Sequence, residues 1–329
     1  MDHKAIIKRR DFLNWSTHGI GGAALSSMFL EDGFASQPIN PHYAPNVKQV
    51  IHICLCGGFS QVDSFDYKPK LKEMHGKSLQ ADEKPDVFFG RVGLLRSNDW
   101  EFKQRGQSGM WISDLFPNIA TVADELTVIN SMVAESSSHT PATFQESSGF
   151  RLNGFPVMGS WVSYGLGNMT NDLPTYVVLP DARGMPAGST SNWTNGFLPA
   201  VHQGVPFRTS GEGNAINNLF PAEEIDHTVE SSSRNLLNKL NHFHLEETGP
   251  NDTLSARISS YELAARMQLA VPEVTSIEGE TDTTRENYGL NKNETRDFGR
   301  SCLLARRLLE RGVRHVQLFS GGSFGSPRI

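Results

Sequence analysis

Residues 50–69 constrain the fold more than any other stretch. The apolar run Val50-Ile51-His52-Ile53-Cys54-Leu55-Cys56 leads into Gly57-Gly58-Phe59-Ser60-Gln61-Val62-Asp63-Ser64-Phe65-Asp66-Tyr67-Lys68-Pro69. A short, β-branched run that stops at two glycines is a buried strand handing the chain to a tight loop. The loop then offers Ser60, Asp63 and Asp66 within seven residues. In open α/β sheets ligands gather beyond the carboxyl ends of the strands, so hydroxyls and carboxylates there are placed for a metal or an anionic substrate. The same residue types also serve as turn and helix-cap groups, and both roles stay open. The glycine pair carries neither the spaced glycines of a dinucleotide loop nor a Gly-Lys-Ser/Thr ending.

The first 36 residues read as a targeting segment. Lys8-Arg9-Arg10-Asp11-Phe12-Leu13 is followed by a moderately apolar, Gly/Ala/Ser-rich stretch over 15–30, the form of a twin-arginine export signal. Asn14, Thr17, His18 and several glycines interrupt it, so a stable membrane span is not expected. Such a signal delivers a folded protein to the periplasm or cell surface, where disulfides are permitted. The only cysteines are Cys54, Cys56 and Cys302. Positions 54 and 56 share a strand face and are poorly placed to bridge, so all three are expected to be buried small hydrophobes. The formal charge of −6, without basic patches interleaved with aromatics, argues against a nucleic-acid partner.

Further along, the spacing predicts a helix over 113–125, a buried strand over 126–129 and a third strand within 172–180 fenced by prolines. Between these last two lies Ser136-Ser137-Ser138-His139-Thr140-Pro141, a hydroxyl-rich loop opening a short helix. His139 and Thr140 there could face an anion at the helix N-terminus, or simply belong to a capping loop. The irregular region 181–213 holds His202 and Arg208, candidates for anion contact or plain surface groups. Helices are expected over 236–243 and 255–269, the second burying Ile258, Tyr261, Ala265 and Leu269. The clearest helix is 297–311, with Phe298, Cys302, Ala305 and Leu309 on one face and Gly312 as its stop. Strand 313–319 then ends in Ser320-Gly321-Gly322. Strands alternating with helices in this order wind a mostly parallel sheet.

Many blocks in order resemble the domain of unknown function family 1501, exported bacterial proteins often labelled sulfatase-like. They include residues 57–69, Gly106-Gln107-Ser108-Gly109, Met158-Gly159-Ser160-Trp161, Gly196-Phe197-Leu198-Pro199, His202-Gln203-Gly204-Val205 and residues 302–308. The resemblance covers essentially the whole chain. It implies an alkaline-phosphatase-like fold, a mostly parallel sheet with helices on both faces and paired divalent metals at strand ends. Sulfatases carry their nucleophile in Cys-x-Pro-Ser-Arg followed by Thr-Gly. With Pro141 on that proline, His139 takes the nucleophile position, Ala142 and Thr143 replace Ser and Arg, and formylglycine chemistry is excluded there. Cys56-Gly57 stands where sulfatases place an acidic metal-binding pair. In the family a Gly-Trp-Asp-x-His segment follows the strand matching 313–319, whereas here Ser323-Phe324-Gly325 follows Gly322. A truncated or frameshifted chain, missing the C-terminal part of the domain, is the expectation.

The chain is therefore expected to comprise an export signal over 1–36 and an incomplete sulfatase-like domain over 37–329. Asp63 and Asp66 are the candidate metal ligands for Ca, Zn or Mn, His139 and Thr140 the catalytic candidates, and Ser60, His202 and Arg208 the substrate-binding candidates. The expected activity is weak or absent hydrolysis of a small-molecule or carbohydrate sulfate or phosphate ester. The alternative is a non-catalytic surface or carbohydrate-associated binding protein.

Overall fold

The computed structural model describes residues 43–79, 92–209, 214–217, 219–220, 225–249 and 251–321. The segment expected to direct export and the residues after Gly321 lie outside these. The chain divides into two units, Met1–Lys48 and Gln49–Ile329, and all the regular elements described fall in the second.

Strand β1 (Val50–Leu55) is followed by a helical turn, α1 (Lys70–Glu73), and by a hairpin, β2 (Phe102–Arg105) with β3 (Met110–Ser113). Next come α2 (Pro117–Ala120), α3 (His139–Ser148), α4 (Met158–Leu166) and strands β4 (Tyr176–Leu179) and β5 (Val205–Pro206). The long helices α5 (His227–Thr248) and α6 (Asp252–Thr275) lead to α7 (Asp282–Asn287), α8 (Asn293–Glu310) and β6 (His315–Ser320). The main sheet runs β1-β6-β4-β5 with every neighbouring pair parallel. The fold is thus α/β, a parallel sheet flanked by helices.

Side chains alternate across a strand, so each face of the sheet has its own partners. Val177 and Leu179 of β4 and Val316 and Leu318 of β6 pack against Met267, Val271 and Val274 of α6 and Leu304, Ala305 and Leu308 of α8. Each such aliphatic contributes about 1.5–3 kcal/mol, making this layer the main source of stability. The Gln49 amide donates to the carbonyls of Leu309 (2.6 Å) and Val313 (2.8 Å), which ties the entry of β1 to the turn between α8 and β6. On the opposite face Cys54, Tyr176, Val178 and Phe319 meet Val157 and Trp193. There α4 approaches closely because Gly159 has no side chain; a Cβ would lie 2.6 Å from the Tyr176 ring.

The first layer stops short of β1. Val316 and Leu318 are fully buried, yet their register partners Ile51 and Ile53 are 37% and 44% exposed. Among the described residues no strand pairs with the outer edge of β1.

Several elements differ from expectation. Ser113 ends strand β3 rather than capping a helix; Gly106 and Gly109, both with positive φ, turn the hairpin, and only short helical turns follow at 117–120 and 123–125. Residues 126–129 are irregular, with Ile129 62% exposed, and among the described residues the run pairs with no strand, the open outer edge of β1 included. Tyr261 and Leu269 are exposed. Ile258, Met267, Val271 and Val274 are the buried apolar positions of α6, and the last three pack in the core against the sheet.

Candidate functional site

Parallel pairing of β1 with β6 and of β6 with β4 brings three strand ends together. Gly321 (φ +111°) leaves β6 so close to β1 that a Cβ would sit 2.8 Å from the Cys56 carbonyl oxygen. Its N–H donates to Asp181 Oδ2 at 2.6 Å, and Asp181 lies just beyond β4. Arg183 grips the same carboxylate through Nε (2.9 Å), Nη2 (2.6 Å) and its own backbone N–H (2.8 Å). Burial alone would raise this carboxyl, but Arg183 and the two amides hold it below the usual carboxylate range.

At the exit of β1, Gly57 (φ +84°) lets the chain turn beneath His139, whose Cε1 would be 3.2 Å from a Cβ at that position. His139 opens α3, and Thr143 Oγ1 donates back to its carbonyl at 2.6 Å. Gly149 in the left-handed region stops the helix, as such glycines do. A cleft of about 680 Å³ lies here, lined by Ile53, Leu55, Gly58, His139, Thr143 and Glu146 among others.

Beneath the cleft runs a polar row across the sheet. Glu146 of α3 joins His52 Nε2 through Oε1 (3.1 Å) and accepts from Cys54 Sγ at Oε2 (3.0 Å), and Cys54 and Cys56 sulfurs are 3.9 Å apart. Gln317 donates through Nε2 to Ser147 Oγ (3.2 Å) and accepts at Oε1 from the Tyr176 hydroxyl. Burial pushes the Glu146 carboxyl up, and the hydrogen bonds from His52 and Cys54 more than offset it, leaving it below its ordinary value. His52, Cys54 and Cys56 alternate along one strand face, so the period-two pattern was the sequence signal for this row. Expected as buried small hydrophobes, the cysteines differ: only Cys54 is buried, while Cys56 and Cys302 are half-buried, Cys302 raised to about 11 by desolvation.

Of the residues singled out from sequence, His139 lines the cleft and Thr140 beside it is half-buried outside the lining. Ser60 is exposed and donates to Asp63 Oδ2 at 2.6 Å. Asp63 Oδ1 also accepts from Asn98 Nδ2 at 3.2 Å, and Asp66 pairs with Lys68 at 2.7 Å. His202 belongs to another part of the surface, where Nδ1 meets Ser163 Oγ at 2.9 Å beside Tyr164. Arg208 is exposed and donates to the Asn214 carbonyl at 2.8 Å. Sequence reasoning missed Asp181, Glu146 and the β1 thiols. Asp181 was signalled only by its place one residue after the strand-ending Pro180.

Paired divalent metals require several carboxylate or imidazole ligands around a common point. Asp63 and Asp66 instead point to a hydroxyl, an amide and an ammonium, and among the described residues no three His, Cys, Asp or Glu side chains gather as a metal site. The described donor set does not fit the implied metals.

Fold and crevice together define an α/β protein with a cleft at the strand ends. The chain belongs to the DUF1501 family, a protein of unknown function, whose family model matches residues 47–324. No curated protein and no solved structure gives a significant match.

Proposed function

We propose that this chain is a sulfatase-like member of the alkaline-phosphatase-like superfamily that binds a small-molecule or carbohydrate sulfate or phosphate ester and hydrolyses it weakly or not at all. The observation that carries the reading is His139, first residue of a ten-residue helix, packed over Gly57 at the carboxyl end of β1. A helix N-terminus favours negative charge, and a ring N–H beside it adds a directed donor for an ester oxyanion. Thr140, next in the helix, offers a hydroxyl beside the lining, and the Ser60 oxygen, whose proton goes to Asp63, is left as an acceptor. The cleft walls Ile53, Leu55, Phe59 and Val133 are apolar and suit the organic part of an ester. Binding without efficient turnover follows from the donor set. With Asp63 and Asp66 engaged by neighbouring donors, nothing described gathers the cationic charge that ester cleavage needs on its leaving oxygen.

Calorimetric titration of the full chain with aryl sulfate, aryl phosphate and a sulfated oligosaccharide tests this. Saturable binding to at least one is expected, weakened roughly tenfold by His139→Ala, as loss of one charge-assisted hydrogen bond of about 1.5 kcal/mol implies. Hydrolysis should stay at background. Absence of binding, or turnover with stoichiometric metal that Asp63→Ala abolishes, would refute the proposal.

We further propose twin-arginine export to the periplasm or cell surface. Replacing Arg9 and Arg10 with lysine should leave unprocessed precursor inside the cell; normal processing in a strain lacking the twin-arginine translocase would count against it.

A further inference from the structure

We propose that Cys54 and Cys56 form a redox-active dithiol, with Cys56 as the attacking thiol, Cys54 as the resolving thiol and Glu146 as the base, able to exchange with small-molecule disulfides. The inference is independent of the ester-binding reading, since it concerns the sheet face beneath α3.

Three observations carry it. The two sulfurs stand 3.9 Å apart, already in contact. Cys54 is fully buried whereas Cys56, the first residue beyond β1, is half-buried, so Cys56 is the more accessible member of the pair and Cys54 the sheltered one. Glu146 Oε2 sits 3.0 Å from Cys54 Sγ, and Glu146 lines the open cleft. Alternate strand positions span about 6.6 Å between Cα atoms, at the long end of what a disulfide bridges. Cys56 lies one residue past β1, its N–H still donating to the Ser320 carbonyl at 2.8 Å, so closing the bridge falls to the side-chain torsions and to the turn at Gly57. Titration points the same way. The contact between the two sulfurs lowers the Cys56 thiol below its ordinary value, while the same contact and then burial raise that of Cys54. Burial and the negative Glu146 and Asp181 oppose the lowering at Cys56 without reversing it.

The exchange balances with a disulfide RSSR as oxidant. Cys56 thiolate attacks one sulfur, the R–S–S–R bond breaks, and one RS⁻ leaves and is protonated by water, giving a Cys56–S–S–R mixed disulfide. Cys54 then passes its proton to Glu146, and its thiolate attacks Cys56 Sγ. The second RS⁻ departs with the proton that Glu146 held. Two thiols have become one disulfide, two RSH are released, and Glu146 is again a carboxylate. Cys302, with its raised thiol and no sulfur partner among the described residues, takes no part.

The test incubates the reduced full chain with glutathione disulfide under argon and follows it by thiol titration, intact mass and peptide mapping. The expected result is loss of two of the three thiols, a 54–56 bridge, Cys302 free and no lasting glutathione adduct. Cys54→Ser should instead retain glutathione on Cys56, and Cys56→Ser should react slowly. Glu146→Gln should form the adduct at the original rate but close the bridge on the order of a hundredfold more slowly, a split that a merely structural role would not produce. Because closure is read on the unaltered chain, a misfolded variant does not decide the matter. A lasting adduct on Cys56 in the unaltered chain, thiols that react only after denaturation, or stoichiometric zinc that shields both sulfurs from glutathione disulfide would overturn the proposal.

Discussion

Gly299→Ala is expected to destabilise the fold by about 2 kcal/mol or more, although it places a better helix former inside α8. Alanine gains about 1 kcal/mol over glycine in a helix interior. Against that, a Cβ at 299 would lie 1.8 Å from the Tyr288 carbonyl oxygen and 3.0 Å from its carbon. The obstacle is backbone and has little room to retreat. Tyr288 N–H donates to Thr284 at 3.0 Å, and the Tyr288 ring lies beneath the Arg306 guanidinium at 5.5 Å. Overpacking of this kind costs about 1–3 kcal/mol and sometimes more, and a contact with fixed main chain belongs at the upper end. Gly165 of α4 supplies the control, since a Cβ there meets nothing within 4 Å. Gly165→Ala should be neutral or stabilising by up to about 1 kcal/mol. Urea unfolding of the two variants checks both signs, and equal stability for the pair would contradict the close approach of α8 to Tyr288.

A second expected result is acid sensitivity centred on His315. This ring is 1% exposed, packs edge-on against Tyr176, and neither nitrogen has a hydrogen-bond partner among the described residues. Burial, with a smaller contribution from neighbouring His52, lowers its pKa from 6.5 to about 4. The unfolded chain therefore binds a proton between pH 6.5 and pH 4 that the native chain refuses. Stability is fully present above pH 6.5 and falls as pH drops toward 4, by about 3 kcal/mol over the window. Glu146 and Asp181, both held below the ordinary carboxylate range, lose their contributions only at lower pH. His202, also lowered by burial, adds a smaller slope of the same sign. Urea titrations at pH 7 and pH 4.5 should show this loss in the original chain and most of it gone in His315→Leu. An unchanged slope in the variant would rule out His315 as its source.

The strands β1, β4 and β6 were legible because apolar, β-branched runs there end in glycine or proline, and each found a parallel neighbour. The run at 126–129 looks the same in sequence, yet Ile129 is largely exposed. Apolar content marks a strand only where the chain is carried alongside a sheet edge, and this run pairs with no strand among the described residues. The β2–β3 hairpin was signalled by Gly106 and Gly109 between Phe102 and Trp111, and the helical spacing of Leu115, Ile119 and Val122 masked it. For α6, composition foretold a helix but not its buried side, because the sheet decides which stripe is covered. The candidate site divides similarly. His139 and Gly57 were readable as strand-end and helix-start residues, and the structure sets one on the other. The link from Glu146 to His52 and Cys54 joins residues more than ninety positions apart, so no local pattern carries it.

Tyr176 is boxed in by two absences. A Cβ at Gly159 would stand 2.6 Å from its ring and one at Gly204 2.7 Å, while its hydroxyl is committed to Gln317 on the neighbouring strand. Three positions far apart in the chain therefore behave as one hereditary unit. A lineage that adds a methyl group at 159 must first shrink the residue at 176, one that adds it at 204 must make room at Val178 as well, where Cγ2 would also be 2.7 Å away, and a lineage that loses the tyrosine leaves Gln317 buried without its donor. Substitutions that look neutral one at a time are open to this protein only in a fixed order.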